Sequence, residues 1–280
     1  MMMTINIVAI DCEYNSSHQI LSFGYKTKKC LDEFYFNHCV DKRSFKIHCL
    51  SKTFLNDYGF DFFKSKSLIK DVIKNKDYIV GFDLFNDFKV LNIKSIHLYN
   101  EKKIIDLKIV LDVLNLNSIS LSKMFLFLNK KHLISDATYH TSSYDSEITF
   151  NIINLLIKLA ENNGVSEEFF LKRLAEITFL NKNLETDIDI KDLYWIKSLF
   201  KEEINHKINQ KIDYYMISNG ICLFCNEDNI PIFKIPIEYI DNKKILNLNK
   251  VETTRKFSKI GVKFDNKYIK DDIKLFSFCN

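Results

Sequence analysis

Short blocks of apolar residues separated by polar ones predict three strands at the start of the chain. Residues 5–13 form a β-branched apolar run that ends in two carboxylates, which is typical of a buried strand reaching a sheet edge. Strand-like segments follow at 19–25 and 33–36, and the polar stretch 26–29 between them is typical of a turn. The pattern therefore predicts an antiparallel meander of three strands.

Beyond this meander, the pattern alternates between helical spacing and short apolar strands. The predicted helices are 54–74 with a break near Gly59, 84–91, 107–114, 120–128 and 144–160. The predicted strands between them are 78–82 and 104–106. A meander followed by alternating strands and helices predicts an α/β domain, a sheet with flanking helices, over residues 1–162.

The remaining chain predicts a smaller accessory domain over residues 165–280, after the polar boundary 161–164. A helical connector is expected over 165–214, with a second helix from Asp189 to Ile212. Hairpin signals then predict a β-rich meander over 215–280. These signals are Asn219-Gly220, Glu227-Asp228-Asn229 and Asp265-Asn266. We expect a C-terminal α+β module with helices first and strands after.

The composition is that of an ordinary globular protein, with 46% hydrophobic and 27% charged residues. No apolar run reaches the roughly 18 residues of a membrane span, and residues 1–4 lack a basic signal segment. We therefore expect a cytoplasmic protein with no membrane partner. Seven cysteines without framework spacing predict reduced thiols. Cys222 and Cys225 have zinc-ligand spacing, but no second pair follows, which favours free thiols.

Positive charge is concentrated near the C-terminus, although the net charge is only +4. Between Lys243 and Lys274 there are ten Lys or Arg residues and four acidic ones. This excess is compatible with a surface that contacts a polyanion, but a solvated face of a small sheet is the favoured interpretation.

Asp11 and Glu13 are the first candidates for chemistry. Residues i and i+2 of a strand point to the same face, so both carboxylates project together where the first strand ends. Such a pair repels itself unless a cation lies between the two groups. Hard oxygen ligands of this kind favour Mg²⁺ or Mn²⁺.

Two further acidic positions follow the predicted strand 78–82. Asp83 and Asp87 lie one helical turn apart, at the edge of a sheet where ligands of α/β proteins gather. The alternative is structural, because Asp83 suits a helix N-cap and Asp87 an exposed position that the helix dipole favours.

His140 and Asp145 complete the candidate set, five residues apart at the start of the long helix. A neutral imidazole is a suitable general base near neutral pH. The alternative for Asp145 is a capping box with Ser142.

In their order along the chain, these stretches resemble the motifs of the DnaQ-like 3′-5′ exonucleases of the DEDDh branch. Ile10–Glu13 is similar to motif I, residues 81–91 have the Gly-to-Asp-to-Leu spacing of motif II, and His140–Asp145 has the spacing of motif III. Residues 46–51 are similar to a short Ile-His segment of that family. The resemblance covers about residues 4–160.

The resemblance implies a ribonuclease H-like fold, with a mixed five-stranded sheet and flanking helices. It implies that Asp11, Glu13, Asp87 and Asp145 hold two Mg²⁺ or Mn²⁺ ions and that His140 acts as general base. It also selects Asp87 over Asp83. The implied reaction is metal-dependent phosphodiester hydrolysis at single-stranded 3′ ends of DNA or RNA, since two cations hold negative charge on both the entering and leaving oxygens.

Several positions depart from the family pattern and bear on the substrate. Tyr14-Asn15 stand where Thr-Thr is common, and Phe82-Asp83 where His-Asn is common. Tyr14, Phe23 and Phe85 are candidates for stacking on the terminal base, and ordinary core packing is the alternative for each.

Two partners and one rival function are implied by the same sequence. The first partner is nucleic acid, and the second is a polymerase or another protein bound through the C-terminal module. The rival is a non-catalytic nucleic-acid-binding or docking protein that retains the exonuclease fold. Because all five chemical positions are filled, we favour the enzyme.

Overall fold

The structure is a computed structural model that describes most of the first two hundred residues and part of the remaining chain. The described residues are 5–48, 50–93, 98, 101, 103–121, 123–124, 127, 141–182 and 189–201, with the backbone of three strands between 214 and 236.

A mixed five-stranded sheet lies at the centre of the fold. Its strands are β1 (Ile7–Tyr14), β2 (Ile20–Thr27), β3 (Leu31–Tyr35), β4 (Tyr78–Gly81) and β5 (Ile104–Asp106). Their order is β3-β2-β1-β4-β5. The first three strands form the predicted antiparallel meander, and β4 and β5 extend the sheet parallel to β1. The predicted α/β class with five strands is therefore confirmed.

Helices connect and flank these strands. They are α1 (Lys42–His48), α2 (Lys52–Tyr58), α3 (Phe62–Ile73), α4 (Leu84–Val90), α5 (Leu107–Val113), α6 (Ser142–Asn162), α7 (Glu167–Lys182) and α8 (Trp195–Leu199). The break predicted near Gly59 separates α2 from α3. None of these helices is both long and apolar enough to cross a lipid bilayer.

Alternate residues of β1 build two hydrophobic cores, one on each face of the sheet. Ile7 and Ala9 belong to the core formed with α5 to α8. Val8 and Ile10 belong to the second core, which includes apolar residues of α3 and α4. Both faces are covered, as expected where parallel strands are connected by helices. On the strand pleat, Asp11 and Glu13 share the face of Ile7 and Ala9, which is the face of α6.

Helix α7 packs into the first of these cores, although the sequence assigned it to the C-terminal domain. Its buried residues, among them Phe170, Leu171 and Leu174, join the cluster that contains residues of β4 and β5. The Thr178 hydroxyl also accepts a hydrogen bond from the Asp106 N–H at 3.1 Å. The boundary at residues 161–164 stays a prediction, and α7 structurally supports the domain before it.

The C-terminal strands form a separate antiparallel sheet. These are β6 (Tyr214–Ser218), β7 (Ile221–Cys225) and β8 (Pro231–Pro236), in that order. Ser218 pairs with Ile221, so the predicted Asn219-Gly220 hairpin lies between two paired strands as expected. Residues 189–201 hold a short 3₁₀ turn and α8, where a single longer helix was predicted.

Candidate metal centre

Asp11 and Glu13 extend past the end of a neighbouring strand. The parallel pairing of β1 with β4 stops at Ala9 and Val80, whereas the pairing with β2 continues to Tyr14. The last residues of β1 therefore border a cleft at the carboxyl edge of the parallel strands. Glu13 is buried and Asp11 is partly exposed to this cleft. The two sequence candidates lie at the sheet edge where they were predicted.

Asp145 comes from helix α6 and meets this pair. Side-chain oxygens of Asp11, Glu13 and Asp145 all lie within 4.8 Å of one another. Asp145 is buried, in the first turn of the helix. Three acidic groups from distant parts of the sequence therefore share one small volume.

Helix α6 can bring Asp145 close to Asp11 because the sheet residue beneath the first turn of α6 has no side chain. Gly24 on β2 pairs with Asp11 on one side and with Glu33 of β3 on the other. A Cβ atom on Gly24 would lie only 2.0 Å from the backbone carbon of Ser142. A glycine at this position therefore allows the start of α6 to rest directly on the sheet, beside Asp11.

Glu33 fixes the start of α6 from the other side of Gly24. Its carboxylate accepts hydrogen bonds from the hydroxyls of Ser142 at 2.7 Å and Ser143 at 2.8 Å. The helix N-cap is Thr141, whose hydroxyl accepts from the Tyr144 N–H at 3.3 Å. The capping box considered for Ser142 and Asp145 is therefore wrong, because the Ser142 hydroxyl bonds to Glu33. Asp145 is left facing Asp11 and Glu13.

Asp87 occupies the fourth position, on helix α4. It is 4% exposed, which excludes the exposed surface acid considered from the sequence. Its carboxylate accepts a hydrogen bond from the Cys12 N–H. Its Oδ2 atom is buried and has no hydrogen-bond donor among the described residues.

Asp83 lies on the cleft but has a different role from Asp87. It precedes α4 in the left-handed backbone region, with φ of 72°, and its side chain makes no capping bond. Its Oδ2 instead accepts from Lys108 Nζ at 2.8 Å. The N-cap interpretation of the Asp83 side chain is therefore wrong. Asp87 is the more buried of the two acids in the cleft, and its selection as a metal ligand stays a prediction.

Asp106 holds the β4–α4 junction in place. At the end of β5, it is 1% exposed and accepts from the backbone N–H groups of Asp83, Leu84 and Lys108 at 2.9–3.0 Å. Sequence reasoning treated Asp106 only as a strand residue. The available signal was its position as the carboxylate ending the third parallel strand.

Burial and, after it, mutual repulsion strongly raise the pKa values of two of these acids, Asp11 and Asp87. Loss of hydration raises the pKa of Asp11 well above its usual range, and the charges of Asp87, Asp145 and Glu13 raise it further. Burial also raises the pKa of Asp87, as does the charge of Asp106. Both groups are therefore unfavourable as carboxylates without a compensating positive charge.

This arrangement fits a bound divalent cation. Four buried or partly buried carboxylates supply hard oxygen ligands, and the buried Asp87 Oδ2 has no described donor. A cation would satisfy that oxygen and remove the repulsion that raises these pKa values. Asp11, Glu13 and Asp145 would hold it most directly, and Asp87 would complete the ligand set.

His48 contacts one of the carboxylates of this centre. It belongs to the segment 46–51, whose sequence is similar to a short Ile-His segment of the exonuclease family. Its Nδ1 contacts the Glu13 Oε2 atom. Both side chains are about one-tenth exposed or less. A partner of this type fixes the orientation of a metal-ligating carboxylate.

Three aromatic residues were predicted to contact substrate, and they lie in different environments. Tyr14 lines the cleft, and burial together with Asp87 and Asp83 raises its pKa, so the phenol stays neutral. Phe23 is 0% exposed within the second core, so its predicted substrate role is wrong. Phe85 is 46% exposed, lies outside the cleft lining and packs under Lys182 Nζ at 3.3 Å.

Three further predictions fall outside the described residues. His140, the predicted general base, immediately precedes the described helix start at Thr141. The basic segment Lys243–Lys274 and the side chains of Cys222 and Cys225 also lie outside them. Their roles stay predictions.

The carboxylates open into a cleft of about 490 Å³. Its other walls come from the turn after β1, from α1 and from the start of α4. The sequence matches no model of a known protein family and no curated protein. The geometry of this cleft is therefore the basis for a functional proposal.

Proposed function

We propose that this protein is a metal-dependent 3′-5′ exonuclease that removes nucleotides from single-stranded ends of DNA or RNA. The observation that carries the proposal is the meeting of Asp11, Glu13 and Asp145, whose ligand atoms lie within 4.8 Å of one another. The buried Asp87 adds a fourth carboxylate to the same cleft. These are the four positions at which the resemblance implied metal ligands.

The fold supports the same proposal. A mixed five-stranded sheet with flanking helices is compatible with a ribonuclease H-like domain. The carboxylates lie where parallel strands end, the edge at which open α/β sheets bind ligands. Three different elements place them: β1 carries Asp11 and Glu13, α4 carries Asp87, and α6 carries Asp145.

Two divalent cations, Mg²⁺ or Mn²⁺, would make water a stronger nucleophile and hold negative charge on the reacting phosphate oxygens. The four carboxylates would hold the cations, and His48, which contacts Glu13, would keep that carboxylate in place. His140 accepts the proton of the attacking water. Tyr14 offers the terminal base an aromatic surface within the cleft.

The test is degradation of 5′-labelled single-stranded DNA and RNA by the purified full-length protein in Mg²⁺ or Mn²⁺. We expect a ladder that shortens from the 3′ end and disappears with EDTA. Asp145→Asn should reduce the rate by more than about 100-fold, because even partners outside the metal ligands contribute about 10–100-fold at such sites.

The matched control is Asp71→Asn, the same chemical change on the exposed surface of α3. This variant should retain the wild-type rate. Absence of shortening with both nucleic acids and both metals would contradict the enzyme, and tight binding in that case supports the docking alternative. Shortening that persists in Asp145→Asn would contradict the assigned site.

A further inference from the structure

The turn that follows β1 is firmly built, although it borders an open cleft. Asn15 is 4% exposed, and its Oδ1 accepts from the N–H groups of Ser17 at 3.0 Å and Gln19 at 2.9 Å. Its Nδ2 donates to the Cys39 carbonyl at 2.7 Å. Both ends of the Asn15 amide are therefore satisfied, which fixes the path of the turn.

Asp41 connects this turn to the start of helix α1. Its carboxylate accepts from the Ser16 N–H at 2.8 Å and the Ser16 hydroxyl at 3.1 Å. The same carboxylate accepts from the N–H groups of Arg43 and Ser44, both at 2.9 Å. The turn and α1 are thus held together as one wall of the cleft.

His18 is held against Tyr14 on this wall. Its φ of 57° lies in the left-handed region, which non-glycine residues seldom adopt. The two rings stack with centroids 5.7 Å apart and planes inclined by 28°, and both line the cleft. Such backbone strain persists only where the surrounding structure fixes it, here through Asn15. The result is a prepared aromatic surface.

Arg43 supplies positive charge to the same cleft. Of the described residues that line the cleft, it is the only Lys or Arg, against the five acids Asp11, Glu13, Asp83, Asp87 and Asp145. Within the described part of the chain, its guanidinium takes part in none of the observed ion pairs, whereas Arg173 pairs with Glu176 and Asp192. A guanidinium is well suited to phosphate oxygens.

We propose that Tyr14, His18 and Arg43 form a subsite for one nucleotide of the strand, in which the ring pair stacks on the base and Arg43 binds a phosphate. This inference rests on the proposed function, since it names a binding site for that substrate. Single-stranded nucleic acid is commonly bound by such a combination of aromatic stacking and positive charge. It also gives a specific reason for the rigid turn.

The competing explanation is that Arg43 only offsets the negative charge of the cleft. The two explanations predict different effects of Arg43→Ala. Loss of a phosphate ligand raises KM and the dissociation constant for the strand, with little change in kcat. Loss of an offsetting charge tightens Mg²⁺ binding and leaves the affinity for the strand unchanged.

The first experiment measures binding of a fluorescent single-stranded oligonucleotide by anisotropy, in Mg²⁺, with Asp145→Asn present throughout to prevent cleavage. Arg43→Ala should weaken binding about 10-fold and reduce the salt slope of log Kd by about 0.7, the value for one phosphate contact on a single strand. The control is Lys42→Ala, which removes the neighbouring exposed cation outside the cleft lining.

The second experiment uses His18→Asn, because Asn tolerates the left-handed conformation but lacks the ring. We expect binding to weaken about 10-fold, within the range measured for single base–aromatic stacks. For an oligonucleotide with an abasic 3′ residue, the proteins with and without His18→Asn should bind with equal affinity. For an oligonucleotide with a neutral methylphosphonate at its last linkage, Arg43→Ala should no longer change the affinity.

Equal effects of Arg43→Ala and Lys42→Ala would overturn the phosphate assignment, and an unchanged effect of His18→Asn on the abasic strand would overturn the base assignment. Binding is measured separately from cleavage, so these outcomes differ from failure of the proposed function. A protein that binds as expected but does not cleave retains the subsite and loses the exonuclease. A protein that cleaves but shows no effect of either variant retains the exonuclease and loses the subsite.

Discussion

The two halves of strand β1 bury very different side chains. Val8, Ala9 and Ile10 are all 0% exposed and pack into the two cores. The other half presents Asp11 and Glu13 to the cleft, where burial and then the charges of neighbouring acids raise the pKa of Asp11 well above its usual range. One half contributes hydrophobic stability, at roughly 1.5–3 kcal/mol for a fully buried large side chain, while the other half reduces it.

This difference shows how a rigid fold supports an unfavourable cluster of charges. The apolar half anchors the strand in the middle of the sheet, between β2 and β4. The acidic half then lies where its charges cannot separate without breaking the sheet. A cation relieves this repulsion, so affinity for metal and low stability without metal have the same origin.

The largest effect on stability is expected from a substitution that disrupts the packing of the apolar half of β1. Ile10→Ala leaves a cavity in a fully buried site and should lower the free energy of unfolding by about 2–5 kcal/mol. Urea denaturation measures this change through the midpoint. The cleavage rate per folded molecule should stay near that of the wild type, because Ile10 faces away from the carboxylates. A loss below about 1 kcal/mol would contradict the tight packing described for this half.

A smaller effect on stability is expected from a change of pH, through the titration of Asp106, the acid that accepts hydrogen bonds from the β4–α4 junction. Burial is the main cause that raises the pKa of Asp106 to about 6, whereas an unfolded Asp titrates near 3.9. Between about pH 4 and 6, the folded protein therefore holds a proton that the unfolded chain has lost. The free energy of unfolding without metal should fall as pH rises through this window, by at most about 3 kcal/mol from this group.

Urea denaturation in EDTA across this pH range tests the sign of the effect. Asp106→Asn should reduce the slope. Asp41 does not interfere, because N–H groups of Ser16 and Ser44 lower its pKa to about 2, and its contribution is lost only as pH falls below the window. Stability that rises with pH in the wild type and is unaffected by Asp106→Asn would be inconsistent with a buried, raised Asp106.

Gly24→Ala tests whether the position of the carboxylates matters for metal binding, because it moves the start of α6 and leaves all four acids in the chain. The new methyl group would lie 2.0 Å from the Ser142 backbone, so the start of α6 must move. We expect about 1–3 kcal/mol of destabilisation, as for other overpacked sites, together with weaker Mg²⁺ binding measured by calorimetry.

The control for this change is Gly164→Ala, just beyond the other end of α6. There φ is +78°, but no atom of the described residues lies within 4 Å of the new Cβ. That variant should lose stability through backbone strain of about 1 kcal/mol and bind Mg²⁺ like the wild type. Equal loss of Mg²⁺ binding in both variants would show that Gly24 has no special role.

The smallest effect on stability is expected from Asp11, the residue after Ile10, and here the substitution should stabilise the metal-free protein. Asp11→Asn removes a charge that Asp87 and Asp145 repel, so the metal-free protein should gain on the order of 1 kcal/mol. Thermal unfolding should also lose the stabilisation that Mg²⁺ gives the wild type. A variant that is less stable without metal would refute the repulsion argued for this half, and Asp71→Asn serves as the neutral control.

The periodicity of the sequence predicted the strands and helices around the site well. The meander, the break at Gly59 and the strand 104–106 follow from local alternation and turn residues, which act over a few positions. The acidic candidates were also visible, because Asp11 and Glu13 end a strand and Asp87 follows another. Phe23 was misjudged because an aromatic residue at a core position has the same local pattern as one at a surface.

The sequence by itself determined which residue types stand at the ends of strands and at helix starts, since local conformation depends on near neighbours. The tertiary structure alone decided which of them meet. Gly24 brings α6 beside Asp11, Glu33 fixes the first turn of that helix, and Asp106 sets the β4–α4 junction that carries Asp87. Each contact joins segments at least twenty residues apart, and only packing of the whole sheet brings such segments together.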